Sequence, residues 1–197
     1  MANDFVDPYL DPNSGILRNL VGAQTYDELH QAEADAVMSS EIEINNIPRT
    51  NDFTEFCAIH KSIFGKIYDW AGCPRTVDIR KNEADAEYFL IVSRIPTGCE
   101  YVFSELKSEN ALTGLDHATF VKRLAYFYDQ LNYIHPFREG NGRTQRIFWG
   151  RVAKDAGYRL NWSKTSREEN DAASKLAAEK LDLSLLIKMF TKIVESI

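Results

Sequence analysis

The sequence predicts a mainly α fold interrupted by one β-hairpin. Three observations carry that prediction. Apolar residues recur at steps of three and four, most clearly Phe120, Leu124, Phe127, Leu131 and Ile134, which places them on one helical face. Helix-start chemistry precedes such stretches: Thr25 with Glu28 fits a capping box, and Asp116 is a cap residue. Only residues 75–92 break the period. There Thr76-Val77-Asp78-Ile79 alternates like a short strand. Lys81-Asn82-Glu83-Ala84-Asp85 is a polar turn, and Tyr88-Phe89-Leu90-Ile91-Val92 can return as a second strand.

The chain has 197 residues, 44% of them hydrophobic. That suits one domain, 1–197, large enough for a real core. No apolar run approaches the roughly 20 residues of a membrane span. The start, Met1-Ala2-Asn3-Asp4, lacks the basic and apolar regions of a secretory signal, so a cytoplasmic protein is expected. Cys57, Cys73 and Cys99 lack metal-type pair spacing and are expected to be reduced. The net charge of −6 argues against nucleic acid as a direct partner.

In chain order, residues 1–24 are rich in turn formers and read as a surface arm, anchored by Tyr9, Ile16, Leu17 and Leu20. A first helix starts near Thr25 and runs into the forties, before Ile47-Pro48. Asn51 is a candidate cap for the next, whose apolar face holds Phe53, Phe56, Cys57, Ile59, Ile63, Phe64 and Ile67. His60 lies within it, with no second histidine nearby to share a metal. A buried histidine donating to a backbone carbonyl is the expectation. After the hairpin a helix starts near Pro96, with Tyr101, Val102 and Leu106 inward. Asp116 caps the helix over 117–134. Ile147, Phe148, Val152 and Ala156 mark another, with Gly157 just past its end. Leu160 and Trp162 anchor a loop, and 182–195 reads as an amphipathic closing helix.

Between the helices around 117–134 and 147–156 lies His135-Pro136-Phe137-Arg138-Glu139-Gly140-Asn141-Gly142-Arg143-Thr144-Gln145-Arg146. Pro136 ends the first helix, because proline disfavours α geometry in the residue before it. Gly140 and Gly142 permit close backbone approach at the start of the second, where free N–H groups and a dipole of about +0.5 charge make an anion site. Arg143 and Arg146 share a helix face and suit phosphate oxygens. Glu139 would repel a bare phosphate. It makes sense beside Mg²⁺, which binds through one or two carboxylates plus substrate phosphates. His135 can take a proton at neutral pH, since histidine titrates near 6.5 in model peptides. The residues together read as a Mg²⁺-nucleotide site with a base poised to deprotonate an attacking hydroxyl.

This stretch resembles the signature of the Fic family, His-Pro-Phe-x-(Asp/Glu)-Gly-Asn-Gly-Arg-x-x-Arg, at every specified position. Residues 59–72 resemble a second Fic segment, and Asp7-Pro8-Tyr9 resembles the start of many Fic domains. The resemblance implies a Fic-type helical bundle whose 75–92 hairpin is a flap. Thr76, Val77, Asp78 and Ile79 would pair with the target's backbone. It implies transfer of AMP from ATP to a Tyr, Ser or Thr hydroxyl of a target protein. His135 would be the general base and Glu139 the Mg²⁺ ligand. Gly140, Asn141 and Gly142 would form the phosphate nest, and Arg143 and Arg146 would hold the outer phosphates. Phe137 is expected to be buried, and Arg138 has no implied role. Transfer of phosphate, UMP or phosphocholine, removal of AMP, and a non-catalytic nucleotide-binding module are the alternatives. Fic enzymes are commonly restrained by a helix reading (Ser/Thr)-x-x-x-Glu-(Gly/Asn). Residues 165–170 match it, but Ser166 with Glu169 also makes a capping box, which is the expectation here. Thr191–Ser196 matches less well. If neither is that helix, a separate small antitoxin is expected to supply the glutamate, as for a bacterial toxin. Delivery into a host cell is the alternative to a cytoplasmic toxin.

Overall fold

Capping side chains set where half of the described helices begin. In the computed structural model, which describes residues 7–80 and 89–197, Thr25 and Glu28 form a reciprocal capping box at the start of α1 (Tyr26–Ser39). Asp116 accepts from the Ala118 and Thr119 N–H groups at the start of α5 (His117–Ile134). Each satisfies amide donors that the first turn leaves without partners. Asp52 caps α3 (Phe53–Phe64). Asn51, expected in that role, instead takes a positive φ of 52°, with its N–H donated to Glu55. The first helix also breaks at Ser40, so that α2 (Glu41–Asn45) is a separate short turn of helix.

The remaining helices are α4 (Ile95–Ser108), α6 (Asn141–Asp155), α7 (Arg167–Lys180) and α8 (Ser184–Ile193). α5 is the central element, packed against α4, α6, α7 and α8, while α3 packs on α6 and α1. Phe120, Leu124, Phe127 and Leu131 of α5 are fully buried, as the spacing predicts. The core beneath the motif is aromatic. Phe137 is buried, stacks on Phe56 at 5.5 Å and on His60 at 3.8 Å. The arm packs Tyr9, Ile16 and Leu17 into this core, but Leu20 stays exposed, and Tyr101 of α4 likewise faces outward.

The sheet lies where a loop and a helix end were expected. β1 (Tyr158–Leu160) pairs antiparallel with β2 (Val194–Ser196), in the register Tyr158↔Ser196, Arg159↔Glu195 and Leu160↔Val194. The closing helix therefore stops at Ile193. Of the expected flap, the turn and Tyr88 fall outside the described residues. On the described side, Thr76 and Val77 form a bend, Asp78 and Ile79 are irregular, and Arg80 sits in a β-bridge. A backbone pairing there is the Phe89 N–H donated to the Ile79 carbonyl at 3.1 Å. Val92–Arg94 is a 3-10 turn instead of a strand end. Side chains have taken the backbone partners: the Val77 carbonyl accepts from Arg75, and the Val92 N–H is donated to Asp78.

Candidate active site

Proline chemistry places the histidine. His135 caps α5 in the left-handed region, φ 48° and ψ 61°, one residue before Pro136. A non-glycine residue in that conformation is strained and held by its surroundings. Bonds to described residues hold it. Its N–H is donated to Leu131 O at 3.0 Å, its carbonyl accepts from Arg75 Nε at 2.9 Å, and its ring Nδ1 lies 3.3 Å from Asn132 O. A carbonyl only accepts, so Nδ1 carries a proton, and Nε2 is the ring nitrogen that can accept one when the imidazole is neutral. Phe89 stacks on the imidazole at 3.7 Å, nearly parallel.

The loop that follows is closed by Asn141. Its Oδ1 accepts from the Phe137 N–H at 2.9 Å, and its Nδ2 donates to the Phe137 carbonyl at 2.8 Å. The buried Asn141 side chain thus shapes the loop, and what it offers a ligand is backbone. Gly140 takes φ 81° before α6, which has no side-chain cap. The N-terminal end of α6 therefore presents bare N–H groups and positive dipole. Gly142 is helical, with open space where a side chain would stand.

Charge is arranged around that helix end. Glu139 Oε1 accepts from the Gly140 N–H at 2.8 Å and from Arg143 at 3.1 Å. Arg143 also pairs with Glu33 of α1 at 3.0 Å and lies over the Phe64 ring. Glu33 is buried and accepts from the Tyr68 hydroxyl at 2.8 Å, whose pKa is pushed up chiefly by burial and then by that carboxylate. Arg146 lies over Trp162 at 5.1 Å. His135, Glu139, Gly140, Asn141, Gly142, Arg143 and Arg146 all line one cavity of about 740 Å³. A neighbouring groove of about 710 Å³ is lined by Ile79, Phe89 and Arg138, and shares His135 and Glu139 with the first.

Of Thr76, Val77, Asp78 and Ile79, expected to pair with the target, Ile79 alone lines the groove, joined there by Arg80 and Phe89 of the same expected flap. Thr76 is tied to Tyr9, whose hydroxyl accepts the Thr76 N–H at 3.0 Å, and Val77 is buried. Arg138, without an expected role, pairs with Asp7 at 2.9 Å and so fastens the arm to the motif. His60 is fully buried, as expected. The Gly72 N–H is donated to its Nδ1 at 2.8 Å, so its Nε2 donates to the Glu139 carbonyl at 2.9 Å. Glu169 bonds Thr165 and Lys192, and Ser166 caps α7. Glu195 bonds Arg159 and Lys164. Neither glutamate is paired with Arg146. Glu33, Tyr68, Arg75 and Phe89 were not expected at the site. Glu33 had one local signal, a carboxylate four residues after Leu29 on the buried face of α1.

No cluster of metal-binding side chains exists among the described residues. One carboxylate at Glu139 beside a polyphosphate site nonetheless fits Mg²⁺, which draws most of its ligands from phosphates and water. No helix of the described residues is long and apolar enough to cross a membrane.

A family model described as "Fic/DOC family" matches residues 51–152. The chain is 39% identical over 171 residues to "Protein adenylyltransferase VbhT" of Bartonella schoenbuchensis, covering 85% of this chain and 35% of that protein. It is 36% identical over 190 residues to "Probable protein adenylyltransferase Fic" of Salmonella typhimurium, covering 95% of this chain and 92% of that protein. Its fold matches the N-terminal Fic domain of a putative cell filamentation protein from Bartonella quintana, solved with bound ADP. The TM-score is 0.85 at 25% identity, over 95% of this chain and 94% of that one.

Proposed function

The chain belongs to the Fic/DOC family, and from that premise we propose that it is a protein adenylyltransferase, moving AMP from ATP to a Tyr, Ser or Thr hydroxyl of a target protein. The observation that carries this reading is the junction at His135, which together with Glu139 lines both the cavity and the groove. A phosphate held at the α6 N-terminus and a hydroxyl presented from the groove would meet there.

The target hydroxyl attacks the α-phosphorus. Its proton passes to His135 Nε2, while the bond from the α-phosphorus to the bridging oxygen breaks and pyrophosphate leaves. The Nδ1–H bond to Asn132 fixes the tautomer that can accept that proton. The Gly142 and Arg143 region of α6, with Arg143 and Arg146, stabilises the charge that develops on the phosphate oxygens. Mg²⁺, when bound, neutralises phosphate charge, and Glu139 is the residue that would hold it. Its pairing with Arg143 suggests that nucleotide binding re-partners both groups. Ile79 and its neighbours would pair with the target backbone as an added strand.

Restraint in trans belongs to the same reading, because Glu169 and Glu195 are engaged elsewhere. A small antitoxin carrying the (Ser/Thr)-x-x-x-Glu-(Gly/Asn) string should lower transfer when mixed with the enzyme, and undiminished transfer would refute it. A cytoplasm, that of the producing cell or of a host that receives the protein, supplies ATP and is the compartment this reading expects.

The decisive experiment is transfer of label from α-labelled ATP onto lysate proteins, by wild type and by His135→Ala. A band lost in the variant supports AMP transfer. Label that transfers only from the γ-position would replace this reading with phosphate transfer.

A further inference from the structure

Arg75 is a buried arginine that lies outside the motif and outside the lining of the nucleotide cavity. Its side chain is 0% exposed. Arginine is almost never fully buried without partners, and here the partners are backbone carbonyls. Nε donates to His135 O at 2.9 Å, Nη1 to Val77 O at 2.7 Å, and Nη2 to Leu90 O and, at 3.4 Å, to Ile134 O. Its own N–H is donated to Pro136 O at 2.8 Å. Asp78 stands 3.8 Å away as the nearest carboxylate.

Those carbonyls belong to three places in the fold: the end of α5, where His135 holds its left-handed turn, Val77 on one side of residues 81–88, and Leu90 on the other. Next to Leu90 is Phe89, whose ring stacks on the His135 imidazole. One planar fork therefore fixes the backbone of the base and the roots of the segment that lines the groove. A lysine's three N–H donors sit on one nitrogen and cannot span these carbonyls.

We propose that Arg75 is a positioning residue that couples the target-binding segment to the base, so that the hydroxyl and His135 Nε2 are brought into register by one side chain. The proposal rests on the reading of 75–92 as the flap, with Thr76, Val77, Asp78 and Ile79 pairing with the target. It assigns Arg75 no contact with ATP, and it predicts that its loss separates target modification from nucleotide binding.

The test compares wild type, Arg75→Lys, Phe89→Leu and the double variant. Two quantities are read: the initial labelling rate of the target band from α-labelled ATP, and the affinity for a fluorescent ATP analogue. Arg75→Lys is expected to label at least tenfold more slowly, with nucleotide affinity within twofold of wild type. Because Arg75 and Phe89 act on the same junction, the double variant should lose little beyond the worse single variant. Labelling within threefold of wild type, losses that multiply in the double variant, or a matching fall in nucleotide affinity would overturn the proposal. Should Arg75→Lys not fold, Phe89→Leu alone decides: it keeps the arginine's bonds, and unaltered labelling by it refutes the coupling. A wild-type band that vanishes in His135→Ala but persists in Arg75→Lys sinks only this proposal. No wild-type band at all would sink the AMP-transfer reading instead.

Discussion

A methyl group added at Gly140 would lie 2.3 Å from Phe64 Cε2, on a backbone with φ of +81°. The left-handed conformation costs a non-glycine residue about 1–2 kcal/mol, and overpacking adds about 1–3. Gly140→Ala should therefore lower the thermal midpoint by roughly 5–15 °C. Gly142 differs: it is helical, with nothing within 4 Å of an added Cβ. Gly142→Ala should fold as wild type yet bind ATP at least tenfold more weakly, because the methyl stands where phosphate would approach; unchanged affinity by titration would remove Gly142 from the nest. His60 supplies a pH prediction. Burial, the largest cause, holds its pKa down at about 4, against 6.5 for an ordinary histidine. As pH falls through 6.5 the unfolded chain takes up a proton that the folded chain refuses until about pH 4. Stability is thus full above the unfolded value and is lost across that window, by roughly 3 kcal/mol. Denaturant midpoints measured at about pH 7 and about pH 4.5 should fall for wild type and fall much less for His60→Gln. Equal falls in both would show that other groups carry the acid sensitivity.

At the scale of elements, the arm does more than cover the surface. Asp7 holds Arg138 of the motif, and the Tyr9 hydroxyl holds the Thr76 N–H. Tyr9→Phe removes that acceptor at a cost of about 1 kcal/mol. It should slow target labelling several-fold while leaving ATP affinity alone, as paired labelling and titration assays would report. Which elements the sequence discloses follows from the range of the interactions that make them. Asp116 and Ser166 cap helices three residues or fewer away, so a local reading finds them. β1 and β2 pair across 33 intervening residues or more in three-residue strands, too short to show a period. The alternation of Thr76–Ile79 suggests a strand, but its Thr76 N–H is donated to the Tyr9 hydroxyl, its Val77 carbonyl accepts from the Arg75 side chain and its Asp78 carboxylate accepts from the Val92 N–H, which no periodicity reports. The motif was legible because twelve consecutive residues carry its chemistry, whereas Arg75 reaches the same site from 60 residues earlier.

At the scale of the whole molecule, the site is assembled from both ends of the domain. Glu33 arrives on α1, 110 residues before Arg143, and is buried between Arg143 and the Tyr68 hydroxyl. Glu33→Ala would leave that hydroxyl without its acceptor and would leave a 27%-exposed guanidinium with Glu139 as its remaining carboxylate. Breaking a fully buried ion pair costs about 3–5 kcal/mol; with Arg143 partly in solvent, about 2 kcal/mol is expected. ATP should then stabilise the variant more than the wild type. A ligand that binds only the folded state stabilises it by an amount set by its affinity, and a polyphosphate would supply the anionic partner that Arg143 has lost. Removing a carboxylate from the cavity also reduces repulsion of the phosphates. The measurement is the thermal midpoint of both proteins across an ATP titration with Mg²⁺ present. A larger shift for Glu33→Ala would mean that Glu33 holds Arg143 in reserve for the nucleotide. Equal shifts would mean that Arg143 already meets the phosphates without giving up Glu33, so that α1 supports the site's architecture and not its affinity.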